Sequence, residues 1–150
     1  MRVTLQKVSH ANVIVNGETT GAIDNGIVVL AGFENEDTEE DLEWIARKIL
    51  NMRIFEDQDG KMNLSLKENG GNLLVISQFT LHASYKKGNR PSFIYAADPE
   101  IAENLYHRFV QKCNELMGHP VETGKFGEMM KVNLCNDGPV TINMDSKNKE

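Results

Sequence analysis

A chain of 150 residues, 40% hydrophobic and 25% charged, has the balance of an ordinary globular protein, and its length suffices to bury about two thirds of the unfolded surface without disulfides or a structural metal. The formal charge of −6 argues against broad coating of nucleic acid, which depends on neutralising many phosphates, but not against binding one RNA end. No apolar run approaches the roughly 18 residues of a membrane span and Met1 to Gln6 lacks a signal peptide's apolar segment, so the expectation is one cytoplasmic domain, 1–150, with no membrane partner.

Leu5, Val8, Val13 and Val15 lie in two short strand-like runs, and Asn16-Gly17 is a turn signal that makes a hairpin with Glu18 to Ile23. Asp24 to Gly26 turns again, and Ile27 to Phe33 is continuous enough for a central strand. Thr38 with Asp41 reads as a capping box opening a helix whose apolar face is Leu42, Ile45, Ala46, Ile49 and Leu50. Trp44 falls off that face and reads as a partly packed surface indole. Arg53 to Phe55 resumes as a strand, and the turn Asp57 to Gly60 presents Lys61, Met62 and Asn63. Asn72 to Ile76 is a buried strand leading to Ser77. Asp98-Pro99 opens a second helix, with Ile101, Leu105, Phe109, Cys113 and Leu116 or Met117 along one face, and Gly118-His119-Pro120 ends it. Val121 to Thr123, Met129 to Cys135 and Val140 to Met144 supply the remaining strands, and the polar tail 145–150 is expected to fray. Strands predominate with two amphipathic helices to cover a sheet face, so the class is α+β. The two cysteines, Cys113 and Cys135, show no metal-ligand spacing and read as small buried hydrophobes.

Chemistry concentrates after the buried strand, where Ser77-Gln78-Phe79-Thr80-Leu81 is followed by the basic loop Lys86, Lys87, Gly88, Asn89, Arg90, Pro91, Ser92 and Phe93. Hydroxyls and an amide at a strand end beside such a loop suit an anionic ligand held on a rigid element. A strand end whose hydroxyls cap their own backbone before a solvated turn accounts for the same residues. Near the C-terminus, Asn133-Leu134-Cys135-Asn136-Asp137-Gly138-Pro139-Val140-Thr141 places a Gly-Pro dipeptide between two strand-like runs. Taken in order and separation, Ser-Gln-Phe-Thr-Leu, Lys-Gly-Asn-Arg-Pro-Ser-Phe and Asn-Asp-Gly-Pro-Val-Thr strongly resemble the D-aminoacyl-tRNA deacylase family. With Gln6 and the segment Phe55 to Asn63, the resemblance covers essentially the whole chain.

The resemblance implies a barrel-like, mainly antiparallel sheet assembly with two principal flanking helices, forming a homodimer with shared active sites. It implies hydrolysis of the ester joining a D-amino acid, or glycine, to the 3′ end of tRNA. In such a site Ser77, Gln78, Phe79 and Thr80 form the catalytic strand end, largely through main-chain N–H groups, and Thr80 positions rather than attacks. Gly138-Pro139, held cis, enters the partner's pocket and excludes L side chains by a clash. Phe126 is a candidate face for the terminal adenine, while Pro91, Ser92, Phe93 and Met62 shape the pocket. Lys7 departs from the family's common arginine; it keeps the charge but loses the planar fork that would fix the Gly-Pro segment.

Neither a phosphate-binding glycine motif nor a zinc signature is present, and His10, His82, His107 and His119 are scattered, so no cofactor and no metal are expected. His107 reads as solvated; His82 follows the central motif closely enough to support a site residue from behind, but reads more simply as a loop histidine. Thr80 or Ser77 as nucleophile needs an activating base, which nothing nearby in the sequence supplies. The competing readings are a non-catalytic dimer that binds an RNA end or nucleotide, and a threonine-dependent hydrolase of small esters.

Overall fold

The computed structural model describes residues Met1–Glu150. Eight strands and two helices occur in the order β1 Arg2–Val15, β2 Glu18–Ile23, β3 Gly26–Gly32, α1 Glu39–Asn51, β4 Phe55–Glu56, β5 Met62–Leu64, β6 Asn72–Ser77, α2 Pro99–Met117, β7 Glu122–Thr123 and β8 Lys131–Asp145. A 3-10 turn, Phe79–His82, follows β6 directly.

Strand β1 is the spine of the fold. Its first half pairs with β3 and its second half with β2, both antiparallel on one edge, while β8 runs antiparallel along the other. The two short runs expected near the N-terminus are thus one 14-residue strand, because the shared ladder with β8 carries the chain across Ser9 and His10. β6 joins β3 in parallel and β7 joins β6 in parallel, giving the order β2-β1-β3-β6-β7. The Ala22 N–H donates to Glu122 Oε2 at 3.3 Å, bringing the outer strands β2 and β7 together and nearly closing the sheet. The result is an α+β, barrel-like mixed sheet in which antiparallel pairings outnumber parallel ones. β4 and β5 form a separate two-stranded ribbon, shorter than the run expected from Arg53.

Alternation along the strands divides the core in two. Leu5, Ile27, Val29, Leu73 and Val75 face α1 and α2, and join Leu42, Ile45, Ile49, Phe109 and Cys113 in a cluster of 22 buried residues. Ala11, Val13, Val28, Leu74 and Ile76 fill the barrel side in a cluster of 8. Helix α1 starts at the expected capping box, with both Thr38 and Asp41 exchanging bonds with backbone N–H groups. In α2 the buried stripe is Ala102, Leu105, Tyr106, Phe109 and Cys113, so Ile101 falls outside it and is exposed; Gly118 in the left-handed region closes the helix. Trp44 lies half-buried at the rim of the larger core, with Lys149 Nζ 4.8 Å from its ring centroid.

Three further expectations are corrected. Cys113 is buried, which pushes its thiol up to about 12, but Cys135 is exposed on β8. His82 is fully buried instead of lying in a solvated loop. The tail does not fray at its start: Ser146 is buried, its N–H donates to the Met1 carbonyl at 2.9 Å, and its hydroxyl accepts from the Met1 ammonium at 3.0 Å. Asp37 pairs with the same ammonium and Lys147 reaches Asp41 at 2.6 Å, so charge pairing anchors a segment whose composition alone reads as solvated. No helix is long and apolar enough to cross a membrane.

Candidate functional site

The parallel register Ala31↔Ser77 places Ser77 at the carboxyl end of β6 beside the carboxyl end of β3. The Gln78 N–H extends that ladder by one bond, donating to the Ala31 carbonyl at 2.7 Å, and the chain then tightens into the 3-10 turn. The first N–H groups of such a turn, those of Phe79 and Thr80, have no partner inside it and are free to meet an acceptor. Thr80 is exposed, and its hydroxyl accepts from Gln78 Nε2 at 2.6 Å. It therefore has an amide as its neighbour, with no base in contact.

The basic loop folds back on itself. Ser84 and Ser92 exchange two backbone bonds of 2.8 Å, closing Tyr85 to Pro91 into an exposed hairpin that carries Lys86, Lys87 and Arg90. Phe93 beyond it meets Phe79 edge-on at 5.0 Å between centroids, so the loop base and the 3-10 turn share one surface. β7 runs parallel to β6, which brings Phe126, three residues beyond Thr123, to the same end of the sheet. Phe126 packs on Tyr106 at 5.7 Å; the Tyr106 hydroxyl donates to the Val75 carbonyl at 2.9 Å, and burial pushes its phenol up to about 12.

The second expected element lies elsewhere. β8 leaves its ladder between the pairs Val8↔Asn136 and Gln6↔Thr141, so Asp137, Gly138, Pro139 and Val140 loop out of the strand opposite Lys7. The Gly138–Pro139 bond is cis, and Gly138 has φ 138°, a region closed to most L residues. Asn136 closes the base of this loop, accepting from the Val140 N–H at 3.2 Å and donating to Thr141 Oγ1 at 2.8 Å. That role of Asn136 was not assigned from sequence, although an Asn before Asp-Gly-Pro is a side-chain-to-backbone turn signal. Lys7 is buried, with Nζ 3.8 Å from Asp137 Oδ2 and 5.8 Å from the Phe55 ring centroid. Phe55 pairs with Leu64 on β5, whose first residue is the exposed Met62.

The site residues thus separate into two groups. Ser77 to Thr80, Pro91 to Phe93 and Phe126 gather at the carboxyl end of β6, whereas Lys7, Met62, Gly138 and Pro139 gather near the level of Ile27, Lys7's partner on β3. Ala31 and Ile27 are four residues apart, about 13 Å along the strand, and β8 is three strand spacings of about 4.8 Å from β6. Neither of two hollows, about 610 and 690 Å³, touches Ser77 to Thr80 or the Gly138 loop. Neither group of candidate residues is enclosed by either hollow.

The sequence pattern agrees with comparisons to known proteins. The family model for D-Tyr-tRNA(Tyr) deacylase matches residues 4–145. The chain belongs to the D-aminoacyl-tRNA deacylase family. It is 55% identical over 150 residues to the D-aminoacyl-tRNA deacylase of Bacteroides thetaiotaomicron, covering 100% of both chains, and equally similar to that of Akkermansia muciniphila. Among solved structures, the c-Myc DNA unwinding element binding protein superposes with a TM-score of 0.90 at 42% identity, over 97% of this chain and 98% of that one.

Proposed function

We propose that this deacylase is a cytoplasmic homodimer of single-domain chains that hydrolyses the ester between a D-amino acid, or glycine, and the terminal adenosine of tRNA. The separation of the two groups of residues, each one half-site, carries the reading. One ester cannot touch Thr80 and Pro139 of the same chain, but a two-fold dimer can lay the Gly138-Pro139 loop of one subunit against the 3-10 turn of the other. Phe79, Tyr85, Ile94, Tyr95 and Met129, all large, apolar or aromatic and more than half exposed, supply surface for such a contact.

An activated ester needs a held carbonyl, donors for the developing oxyanion and an oriented water. The Phe79 and Thr80 N–H groups are the donors, and the adenosine 2′-OH orients the water. Ser77 and Gln78 hold the edge of the pocket, Pro91, Ser92 and Phe93 shape it, and Phe126 offers a face to the adenine. The partner's loop carbonyls receive the α-ammonium and fill the space an L side chain would need, which admits D side chains and achiral glycine. Lys7 holds that loop through Asp137 as a charge, in place of a planar fork. The chemistry needs no metal ion, because main-chain donors polarise the carbonyl.

Matched D- and L-aminoacyl-tRNAs incubated with the purified protein test this directly. Release of the D-amino acid with the L ester spared is expected, undiminished after chelation. Equal loss of both esters refutes the chiral mechanism, and retention of D-aminoacyl-tRNA without ester loss identifies a binding dimer instead.

A further inference from the structure

The 3-10 turn Phe79–His82 is held from several directions, and one of them is chemically unexpected. The Gln78 N–H ties its start to Ala31, and Arg2 Nη1 donates to the Leu81 carbonyl at 3.3 Å. The third tie is His82, whose ring is 0% exposed. Its Nδ1 stands 2.9 Å from Glu34 Oε1, and no other protein group bonds to either ring nitrogen. A buried polar ring left in that condition calls for an explanation.

The other side of the ring supplies one. Gly32, the last residue of β3, lies against it: a Cβ there would fall 3.0 Å from His82 Cδ2, 3.2 Å from His82 Nε2 and 2.7 Å from the Gln78 carbonyl oxygen. The imidazole and the carbonyl that opens the turn therefore occupy the space a side chain at Gly32 would fill. Glu34, opposite, is fixed in turn: its N–H donates to Asp37 Oδ2 at 2.8 Å, and Asp37 also pairs with the Met1 ammonium. The ring is wedged between a strand floor and the Glu34 carboxylate, whose own backbone is held by Asp37.

We propose that His82 is a positioning residue for the deacylation: wedged between Gly32 and Glu34, its ring sets the placement of the 3-10 turn, and so of the Phe79 and Thr80 N–H groups relative to the ester. The inference rests on the function proposed above and adds a residue that never touches the substrate. Its importance follows from how steeply catalysis depends on geometry, a displacement of about 1 Å being worth about a hundredfold in rate.

The test measures kcat and KM on D-aminoacyl-tRNA, together with amide hydrogen exchange at Gln78 and Ala83, whose N–H groups bond to the Ala31 and Thr80 carbonyls at the two ends of the turn, for wild type, His82→Ala, His82→Gln and Gly32→Ala. His82→Ala should lower kcat by about a hundredfold with KM changed by no more than about twofold, and should speed exchange at both amides. His82→Gln, which can fill the wedge and reach Glu34, should recover most of kcat and restore slow exchange. Gly32→Ala keeps the imidazole but pushes on the turn from below, so it should reproduce the loss. Wild-type kcat and exchange in His82→Ala overturns the proposal, as does an equal loss in the Ala and Gln variants that follows their melting temperatures. Should the wild type release no D-amino acid, the function proposed above fails, and the exchange rates alone decide whether His82 places the turn.

Discussion

Substituting Gly138 by alanine tests the two half-sites at once. With φ 138°, the new side chain would sit 2.8 Å from Val140 Cγ2 and 3.0 Å from the Val140 nitrogen, in a backbone region that L residues rarely adopt. Holding that conformation costs about 1–3 kcal/mol. Asp137, Gly138 and Pro139 are exposed, so the loop can relieve the strain by moving, and the loss of global stability should stay within that range. A displaced loop no longer reaches the partner's pocket, and turnover should fall by about a hundredfold. The decisive assay mixes chains. Gly138→Ala chains refolded with an equal amount of Gly32→Ala chains give mixed dimers for half of the population, each with one composite site whose two halves are intact, so activity should recover to about a quarter of wild type. Undiminished turnover by Gly138→Ala, or mixed dimers that form without recovering activity, would refute the argument.

Thr80→Ala should lose no more than about tenfold in rate, the worth of a hydrogen bond of about 0.5–1.5 kcal/mol, because its hydroxyl contacts only the Gln78 amide. A covalent aminoacyl-enzyme on rapid quenching, with a dead but folded Thr80→Ala protein, would identify a nucleophile instead. A substrate ending in 2′-deoxyadenosine should bind and turn over far more slowly than its ribose counterpart; normal turnover would exclude assistance by the 2′-OH. Partial burial raises the Asp41 carboxyl, but hydrogen bonds from Lys147, Thr38 and Ser146 outweigh it and hold the group well below the usual carboxylate range. Its folded value lies below the unfolded one, so its contribution to stability is complete above about pH 4 and disappears as pH falls through the folded value. Urea midpoints taken from neutral pH down to pH 2 should therefore fall further for wild type than for Asp41→Asn, and parallel curves would contradict that assignment.

Much of this protein is written in short-range signals. The Thr38–Asp41 capping box, the Asn16-Gly17 turn, the Gly118 stop and the run Asn72 to Ser77 each depend on neighbours a few residues away, and each forms where the pattern places it. The candidate segments are equally legible, since the polar strand end, the basic loop and the Gly-Pro dipeptide are each a contiguous stretch of chain. Other features depend on partners far along it. β1 becomes one strand only because β8, more than a hundred residues later, bridges Ser9 and His10, and the tail is docked only because the Met1 ammonium and Asp41 meet it. His82 follows a polar motif and precedes a basic loop, so composition places it in solvent; the missing side chain of Gly32 buries it. The division of the site residues between two ends of one sheet is likewise invisible along the chain, because strand register, and not sequence distance, decides which side chains share an end.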